Sequence, residues 1–225
     1  MTVAPGLGGL LLAVALCALV HVAVMAFAGR ALGVALEELT FGLGPRLLRV
    51  GKLSIRLLPV GGAVRFKTAD DMPPEGEADV DSQRLEAQPL GAQLFIGASG
   101  CIALIALACA LLGGMAGAQA LVAGFANIAG GALSQMHTAQ ALLARVDAAA
   151  HGLPFLTLLG LTAATTAALN LLPLPGANGG YLLGALGRGA GLHVRWPAAF
   201  TQILLFAYIA LAASWLFAAA MFLAR

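Results

Sequence analysis

The chain has 225 residues, of which 60% are hydrophobic and only 10% are charged, and its mean hydropathy is +0.94. Soluble domains typically carry about 25% charged residues, so this composition excludes an ordinary soluble protein and indicates an integral membrane protein. The net charge of +2 says little about partners, because 8 of 12 basic and 9 of 10 acidic residues lie within residues 30–86, and no basic face for nucleic acid exists.

Four stretches of the chain contain no Lys, Arg, Asp or Glu, and each is long enough for a membrane-spanning helix. A hydrocarbon core of about 30 Å takes about 20 helical residues. We therefore expect an all-α polytopic membrane protein, a single membrane domain over residues 1–225, with spans near residues 6–28, 91–115, 153–173 and 199–222.

The first span has an alternative interpretation as a cleaved signal peptide. Ala26-Phe27-Ala28 has the small-x-small form of a cleavage site. No basic residue precedes the apolar run, however, and the run exceeds the usual apolar region of about 7–15 residues. These features favour a retained span.

The long loop between the first two spans, residues 36–88, contains two β-favouring runs. Leu53–Leu58 and Ala63–Phe66 are separated by Pro59 and the pair Gly61-Gly62, which predicts a hairpin or small sheet. An isolated hairpin is only marginally stable, so we expect this one to dip into the membrane face or pack on the spans. Residues 69–86 are acidic and polar, which predicts a solvated linker.

Residues 116–152 are rich in Ala and Gly, with a helical pattern of apolar residues in stretch 132–150. We expect an extracytoplasmic, interfacial amphipathic helix here rather than a fifth span. The region is too short for a separate domain.

The distribution of basic residues predicts the orientation. With residues 30–86 on the cytoplasmic side, the loop between the third and fourth spans, which carries Arg188 and Arg195, also faces the cytoplasm. Ten of the 12 basic residues then face the cytoplasm, and only Arg145 and Arg225 lie outside. We therefore expect an extracytoplasmic N-terminus.

An ordered series of motifs follows the first span. It consists of HVAVM (21–25), FGLGP (41–45), LLPVGG (57–62), QPL (88–90), ASG (98–100) and NLLPLPGANGG (170–180). As a set it resembles the site-2 protease family of intramembrane zinc metalloproteases, whose members carry H-E-x-x-H, F-G-x-G-P, an apolar P-x-G-G hairpin and N-x-x-P-x-P-x-L-D-G-G. The resemblance covers roughly Gly8 to Leu183 and implies that family's fold, in the bacterial inner (plasma) membrane.

The resemblance also implies a zinc site, and the chain departs from the family at every position of that site except His21. Val22 replaces the general-base Glu and cannot accept a proton. Met25 replaces the second His with a thioether, which suits softer metals, and Asn178 replaces the Asp with a neutral amide. We expect no catalytic residue among these degenerate positions and no resident cofactor, with His21 only a weak candidate ligand for zinc.

The histidines are open to two interpretations. His21 lies at membrane depth and needs a partner, so it is either bonded to Asn178 or solvated near the cytoplasmic interface. His137 and His151 are expected on the outer side and His193 in the inner loop, so none of them completes a metal site.

Five further residues match the family's substrate-holding framework. An exposed strand edge can accept another strand, and in the family the edge of the hairpin and the Asn of the Pro-rich segment hold an extended substrate. The corresponding residues here are Asn170, Pro173, Pro175, Gly61 and Gly62. They either keep this binding role or only maintain the fold.

The expected function is therefore a non-catalytic homologue, a pseudoprotease, that binds or scaffolds a transmembrane or juxtamembrane segment of another protein within the lipid bilayer. The alternative is an active intramembrane metalloprotease that uses zinc in a non-standard site. A transport component is a third possibility, which the lack of charged residues inside the spans disfavours.

Overall fold

The computed structural model describes residues 6–67, 83–191 and 198–224. Within these ranges the chain is mostly helical, with one antiparallel pair of strands after the first helix, which confirms the expected fold class. The elements in chain order are α1 (Gly6–Ala31), β1 (Leu36–Val50), β2 (Leu53–Phe66), α2 (Leu90–Leu112), α3 (Gly114–Leu133), α4 (Thr138–Gly152), α5 (Phe155–Leu171), α6 (Asn178–Gly189) and α7 (Ala198–Leu223).

Four helices in the described ranges are long and apolar enough to cross a membrane: α1, α2, α3 and residues 202–223 of α7. The number four agrees with the sequence prediction, but one member differs. The predicted span at 153–173 corresponds to α5, an apolar helix of 17 residues that is about 26 Å long and therefore shorter than these four.

The sequence predicts an interfacial amphipathic helix in stretch 132–150, and α4 lies largely within it. The residues before it form α3, an uncharged helix of 20 residues that is long and apolar enough to span a membrane. Alanine and glycine make α3 the least apolar of the four candidate spans, so its composition resembles that of a loop. A helix with such small residues can pack closely on its neighbours, as Gly124 does against Ala168 of α5.

The core of the bundle is formed by α1, α2 and α5, which meet through small side chains. Small residues let helices approach closely in a membrane, where the hydrophobic effect between them is absent. The buried cluster consists of Ala13 and Cys17 of α1, Leu104 and Ala108 of α2, and Leu159, Ala163, Ala164 and Ala167 of α5.

The hairpin differs from the sequence prediction in where it turns. The two predicted runs both belong to β2, and the turn lies at Gly51, which has a φ of +58°. Residues 39–41 of β1 pair with residues 62–64 on one side and with residues 53–55 on the other. Pro59 and the glycine pair therefore mark a bend within β2 rather than the turn.

The base of the hairpin is fixed to the bundle. Leu36 and Phe66 pack with Ala26 of α1 and Ile96 of α2, and the ring of Phe66 covers Gly29 so closely that a Cβ there would clash with it. Residues 68–82 of the predicted acidic linker lie outside the described ranges.

Candidate functional site

Three of the four degenerate positions meet at one amide group. α1 presents His21 and Met25 one turn apart, and α6 begins with Asn178. The Nε2 of His21 lies 3.2 Å from Oδ1 of Asn178. The Nδ2 of Asn178 donates to Sδ of Met25 at 3.2 Å and to the carbonyl oxygen of Gly97 at 2.5 Å. Asn178 therefore joins α1, α2 and α6.

This network determines which nitrogen of His21 carries the proton. Both amide hydrogens of Asn178 are used as donors, so Oδ1 acts as the acceptor and Nε2 of His21 must donate. The other nitrogen, Nδ1, faces the backbone of Gly100 and has no hydrogen-bond partner. His21 is 5% exposed, so the structure shows the hydrogen-bonded alternative and not the solvated one.

The fourth position, Val22, is enclosed by apolar contacts. Its side chain is 1% exposed and lies against Gly62 of β2, where an added Cβ would come within 2.9 Å of Cγ1. The position at which the family's general base is expected is therefore dry and without a titratable group.

The residues present do not fit the zinc ion that the resemblance implies. A structural or catalytic zinc site uses three or four His, Cys, Asp or Glu ligands. The set here offers one imidazole, a thioether and an amide oxygen. Across residues 6–67, 83–191 and 198–224, no cluster of three His, Cys, Asp or Glu could hold a metal ion. His151 is remote from the site, beside Gly6 at the start of α1, and His193 lies outside the described ranges.

Two cavities flank this network. The first, of about 310 Å³, is bounded by Met25, Asn178, Tyr181, Val64 and Phe66, among others. The second, of about 770 Å³, lies between the hairpin and helices α3, α4, α5 and α7. The two cavities share Gly176 and Ala177, so they meet beside Asn178.

The second cavity brings together four of the five predicted binding residues: Asn170, Pro175, Gly61 and Gly62. The fifth, Pro173, is exposed and lines neither cavity. The Nδ2 of Asn170 donates to the carbonyl oxygen of Thr166 at 2.9 Å, so this side chain is held by its own helix at the cavity wall.

One edge of β2 runs past both cavities. Residues 62–64 of β2 pair on one side with residues 39–41 of β1, and no other strand within the described residues pairs with 62–64. Val64 and Phe66 line the first cavity, and Gly61 and Gly62 line the second. An extended segment lying in the two cavities would therefore run alongside this edge, where strand addition is possible.

The glycine pair of the last motif has a steric explanation. A Cβ on Gly179 or Gly180 would strike the carbonyl oxygens of Leu171 and Leu174 respectively, so only glycine lets α6 turn back against the Pro-rich segment. This close turn is what brings Asn178 to His21.

Sequence reasoning did not identify Gly97 or Tyr181 as site residues. Gly97 lies just before the ASG motif, and a Cβ there would meet the ring of Tyr181 at 2.7 Å. The hydroxyl of Tyr181 is buried without a partner, and burial raises the pKa of Tyr181 to about 12, so it stays protonated. The only signal was proximity to two recognised motifs.

The sequence was also compared with known proteins. A family model described as peptidase family M50 matches residues 9–214, which is most of the chain. No curated protein matches the sequence.

Proposed function

The chain belongs to peptidase family M50, the site-2 protease family, and we propose that it is a non-catalytic member that binds a transmembrane or juxtamembrane segment of another membrane protein. The resemblance derived from the motifs is thereby confirmed at the level of the family. The loss of catalysis and the binding role are the proposal.

The observation that carries the proposal is the closed hydrogen-bond network at Asn178. His21 and Met25, at the positions of the two histidine ligands, both contact the amide that replaces the family's Asp. Val22, at the position of the general base, is sealed against Gly62. Hydrolysis by this family's chemistry needs a zinc-bound water and a general-base Glu, and the chain has valine at the position of the Glu and lacks three zinc ligands.

The framework around the network supports continued binding. The cavity of about 770 Å³ is largely apolar and carries the amide of Asn170 at its wall, and the edge of β2 offers strand addition beside it. These features suit a partner segment that is apolar and locally extended. A transmembrane helix becomes locally extended where it unwinds near the membrane surface.

The proposal also covers the membrane, the orientation and the cofactor content of the protein. The bilayer is that of a bacterial inner membrane, the N-terminus is extracytoplasmic, and no zinc or other cofactor is resident. Nucleic acid is not a partner.

The metal content of intact, detergent-purified protein tests the loss of catalysis. We expect far less than one metal ion per chain, and no cleavage of a transmembrane substrate. The rival function, an active protease with a non-standard metal site, requires about one ion per chain and the loss of both metal and cleavage in His21→Ala. Stoichiometric zinc in the wild type would overturn the proposal.

Photocrosslinking in native membranes tests the binding role. A photoreactive residue at Leu43, which lines the second cavity, is expected to form an adduct with a membrane protein. The matched control is Val122, an exposed residue of α3. Filling the cavity with Ala212→Trp should remove the adduct at position 43, because Ala212 lies in its wall. An adduct that is absent, equal at both positions or insensitive to Ala212→Trp would contradict binding in this cavity.

A further inference from the structure

Two arginines lie at one end of the hairpin, beside the second cavity. Leu43 of β1 lines that cavity and pairs with Leu58 of β2. The next residues paired in register are Arg46 and Arg56. The Nη1 of Arg56 donates to the carbonyl oxygen of Gly44 at 3.2 Å, so its guanidinium group lies beside the residue that follows Leu43. Both arginines are therefore close to the wall that Leu43 contributes to the cavity.

This end of the hairpin faces the middle of α7. The candidate span of α7 covers residues 202–223, and its central residue Ala212 lines the second cavity together with Leu43. A helix that crosses a membrane places its middle near the centre of the hydrocarbon core. Arg46 and Arg56 consequently lie within the depth of the membrane. An ionisable side chain at that depth is costly and usually has a partner of opposite charge, which makes it a candidate binding residue.

The chain supplies no such partner within the residues that the structure describes. Residues 39–67 contain six basic and no acidic residues. The two ion pairs found among the described residues involve neither Arg46 nor Arg56. Like charges that face each other across a strand pair are destabilising, and the Nε of Arg56 is buried without a hydrogen-bond partner. A guanidinium group stays charged, so both positive charges remain unbalanced.

The lining of the second cavity makes these charges distinctive. The described residues that line it are all uncharged, and most of them are apolar. An apolar segment therefore suits the cavity itself, and the nearby arginines add a requirement for negative charge. A carboxylate is the side-chain group that matches a guanidinium, because its two oxygens accept parallel hydrogen bonds.

We propose that the partner segment carries an Asp or Glu next to its apolar part, and that Arg56, with Arg46 opposite it, binds this carboxylate. The inference rests on the proposed function and specifies the kind of segment that the cavity accepts. A carboxylate in the membrane is as costly as an arginine, so pairing relieves an unfavourable charge on both proteins. A segment without an acidic residue would leave the two arginines facing each other unbalanced.

The test uses the full-length protein in native membranes with the photoreactive residue at Leu43. Arg56→Gln should lower the yield of the adduct at least about tenfold, because removing one member of a buried charge pair weakens association by more than this factor. Arg56→Lys keeps the charge and should retain most of the adduct. The matched control is Arg49→Gln, an exposed arginine of the same hairpin that bonds to the backbone of Gly51, and it should leave the adduct unchanged.

Mass spectrometry of the adduct identifies the crosslinked peptide, which should contain Asp or Glu close to the attached residue. Arg46→Gln/Arg56→Glu should abolish the adduct, and changing the partner's acidic residue to arginine should restore it. An adduct that persists in Arg56→Gln, a peptide without an acidic residue or a charge swap that restores nothing would overturn this inference and leave binding in the cavity intact. The last two results are expected if the phosphate of an anionic lipid neutralises the arginines. Absence of the adduct in the wild type would overturn the proposed function as well.

Discussion

Asn178 is the residue on which the degenerate site depends, because a single amide satisfies groups on three elements. A carboxylate at this position would accept hydrogen bonds but donate none, so it could bond to neither Met25 nor the carbonyl oxygen of Gly97, which are both acceptors. The change from acid to amide thus replaces a metal ligand with a side chain that hydrogen-bonds to its neighbours.

Asn178→Ala is expected to lower the free energy of unfolding by about 2 kcal/mol, because His21 and the carbonyl oxygen of Gly97 lose their buried partner. The control is Asn170→Ala, since Asn170 bonds only within its own helix and should cost about 1 kcal/mol or less. The melting temperature of each variant is measured by thermal unfolding with a thiol-reactive dye, which detects exposure of the buried Cys17 and Cys101. Equal melting temperatures for the two variants would contradict the role of Asn178.

The double variant Met25→His/Asn178→Asp is expected to bind about one zinc ion per chain. The Nε2 of His21 and Oδ1 of Asn178 are 3.2 Å apart. Two ligands of a tetrahedral zinc ion are separated by about 3.3 Å, so the backbone already holds the required spacing. Metal analysis of the purified variant measures the result, with Met25→Leu/Asn178→Ala as the metal-free control. The double variant should not cleave substrate, because position 22 remains valine. Failure to bind zinc would show that the ligand geometry is lost as well as the ligands.

At this scale the sequence predicts the degenerate residues and, as one of two alternatives, the bond between His21 and Asn178 that the structure shows. It does not predict the contacts that surround this bond. The contacts with the carbonyl oxygen of Gly97 and the backbone of Gly100 depend on how closely α2 approaches α1, and residue types alone do not specify an interhelical distance.

At the scale of elements, the close approach of α1 and α2 is the feature that positions His21. A Cβ on Gly100 would lie 2.6 Å from Nδ1 and 2.7 Å from the carbonyl oxygen of His21, so the two helices meet with no space for a side chain. This contact explains why the metal-site face of α1 is packed rather than hydrated.

Gly100→Ala is therefore expected to destabilise the protein by about 2 kcal/mol, since the added methyl forces the two backbones apart. Gly91→Ala is a matched control in the same helix, where an added Cβ meets nothing within 4 Å. That variant should be neutral or stabilising by about 0.5 kcal/mol, because alanine has the higher helix propensity. Denaturation in mild detergent compares the two, and a similar response from both would refute close packing at Gly100.

α7 is held to the bundle by a small number of polar contacts and is otherwise mostly exposed. Trp215 donates from Nε1 to the carbonyl oxygen of Ile128 at 3.1 Å, and Ser214 donates to the carbonyl oxygen of Ala132 at 2.6 Å. Trp215 also lines the second cavity, so these contacts hold α7 in place as one wall of that cavity.

Ser214→Ala/Trp215→Phe removes these two hydrogen bonds and the one that Ser214 accepts from Gln135, and should broaden the distance distribution between spin labels on Leu133 of α3 and Phe217 of α7. Pulsed electron paramagnetic resonance measures this distribution in nanodiscs. Leu216→Ala, on the exposed face of α7, serves as the control and should leave the distribution narrow. An unchanged distribution in the double variant would mean that the remaining contacts, among them the bond from Gln140 to the carbonyl oxygen of Ala218, are enough to fix α7.

The elements also show where sequence patterns were insufficient. The β-favouring runs were recognised, but Gly51 and Lys52 give a weaker turn signal than Pro59, Gly61 and Gly62, so the turn was assigned to the wrong place. The second pairing of residues 39–41, with residues 53–55, is a tertiary contact that alternation within a strand cannot reveal.

At the scale of the whole molecule, α3 changes how the chain is expected to thread the bilayer. α3 starts beside the end of α2, where Gly117 contacts Cys109, and its far part reaches the second cavity through Asn127 and Ile128. A helix of 20 residues covers about 30 Å, which is the thickness of the hydrocarbon core. The length and composition of α3 suit a helix that crosses the bilayer, whereas the sequence predicts an interfacial segment on one membrane surface here.

Cysteine labelling from each side of the membrane tests this threading. Met136, half-exposed in the turn after α3, and His151, beside the start of α1, are replaced one at a time by cysteine in a Cys109→Ala background, because Cys17 and Cys101 are buried. A membrane-impermeant maleimide that reaches position 151 from one face should not reach position 136 from that face, because α3 carries the turn across the hydrocarbon core. Reaction of both positions from the same face would instead support an interfacial location for residues 116–152. α3 would then be a helix that enters the membrane without crossing it.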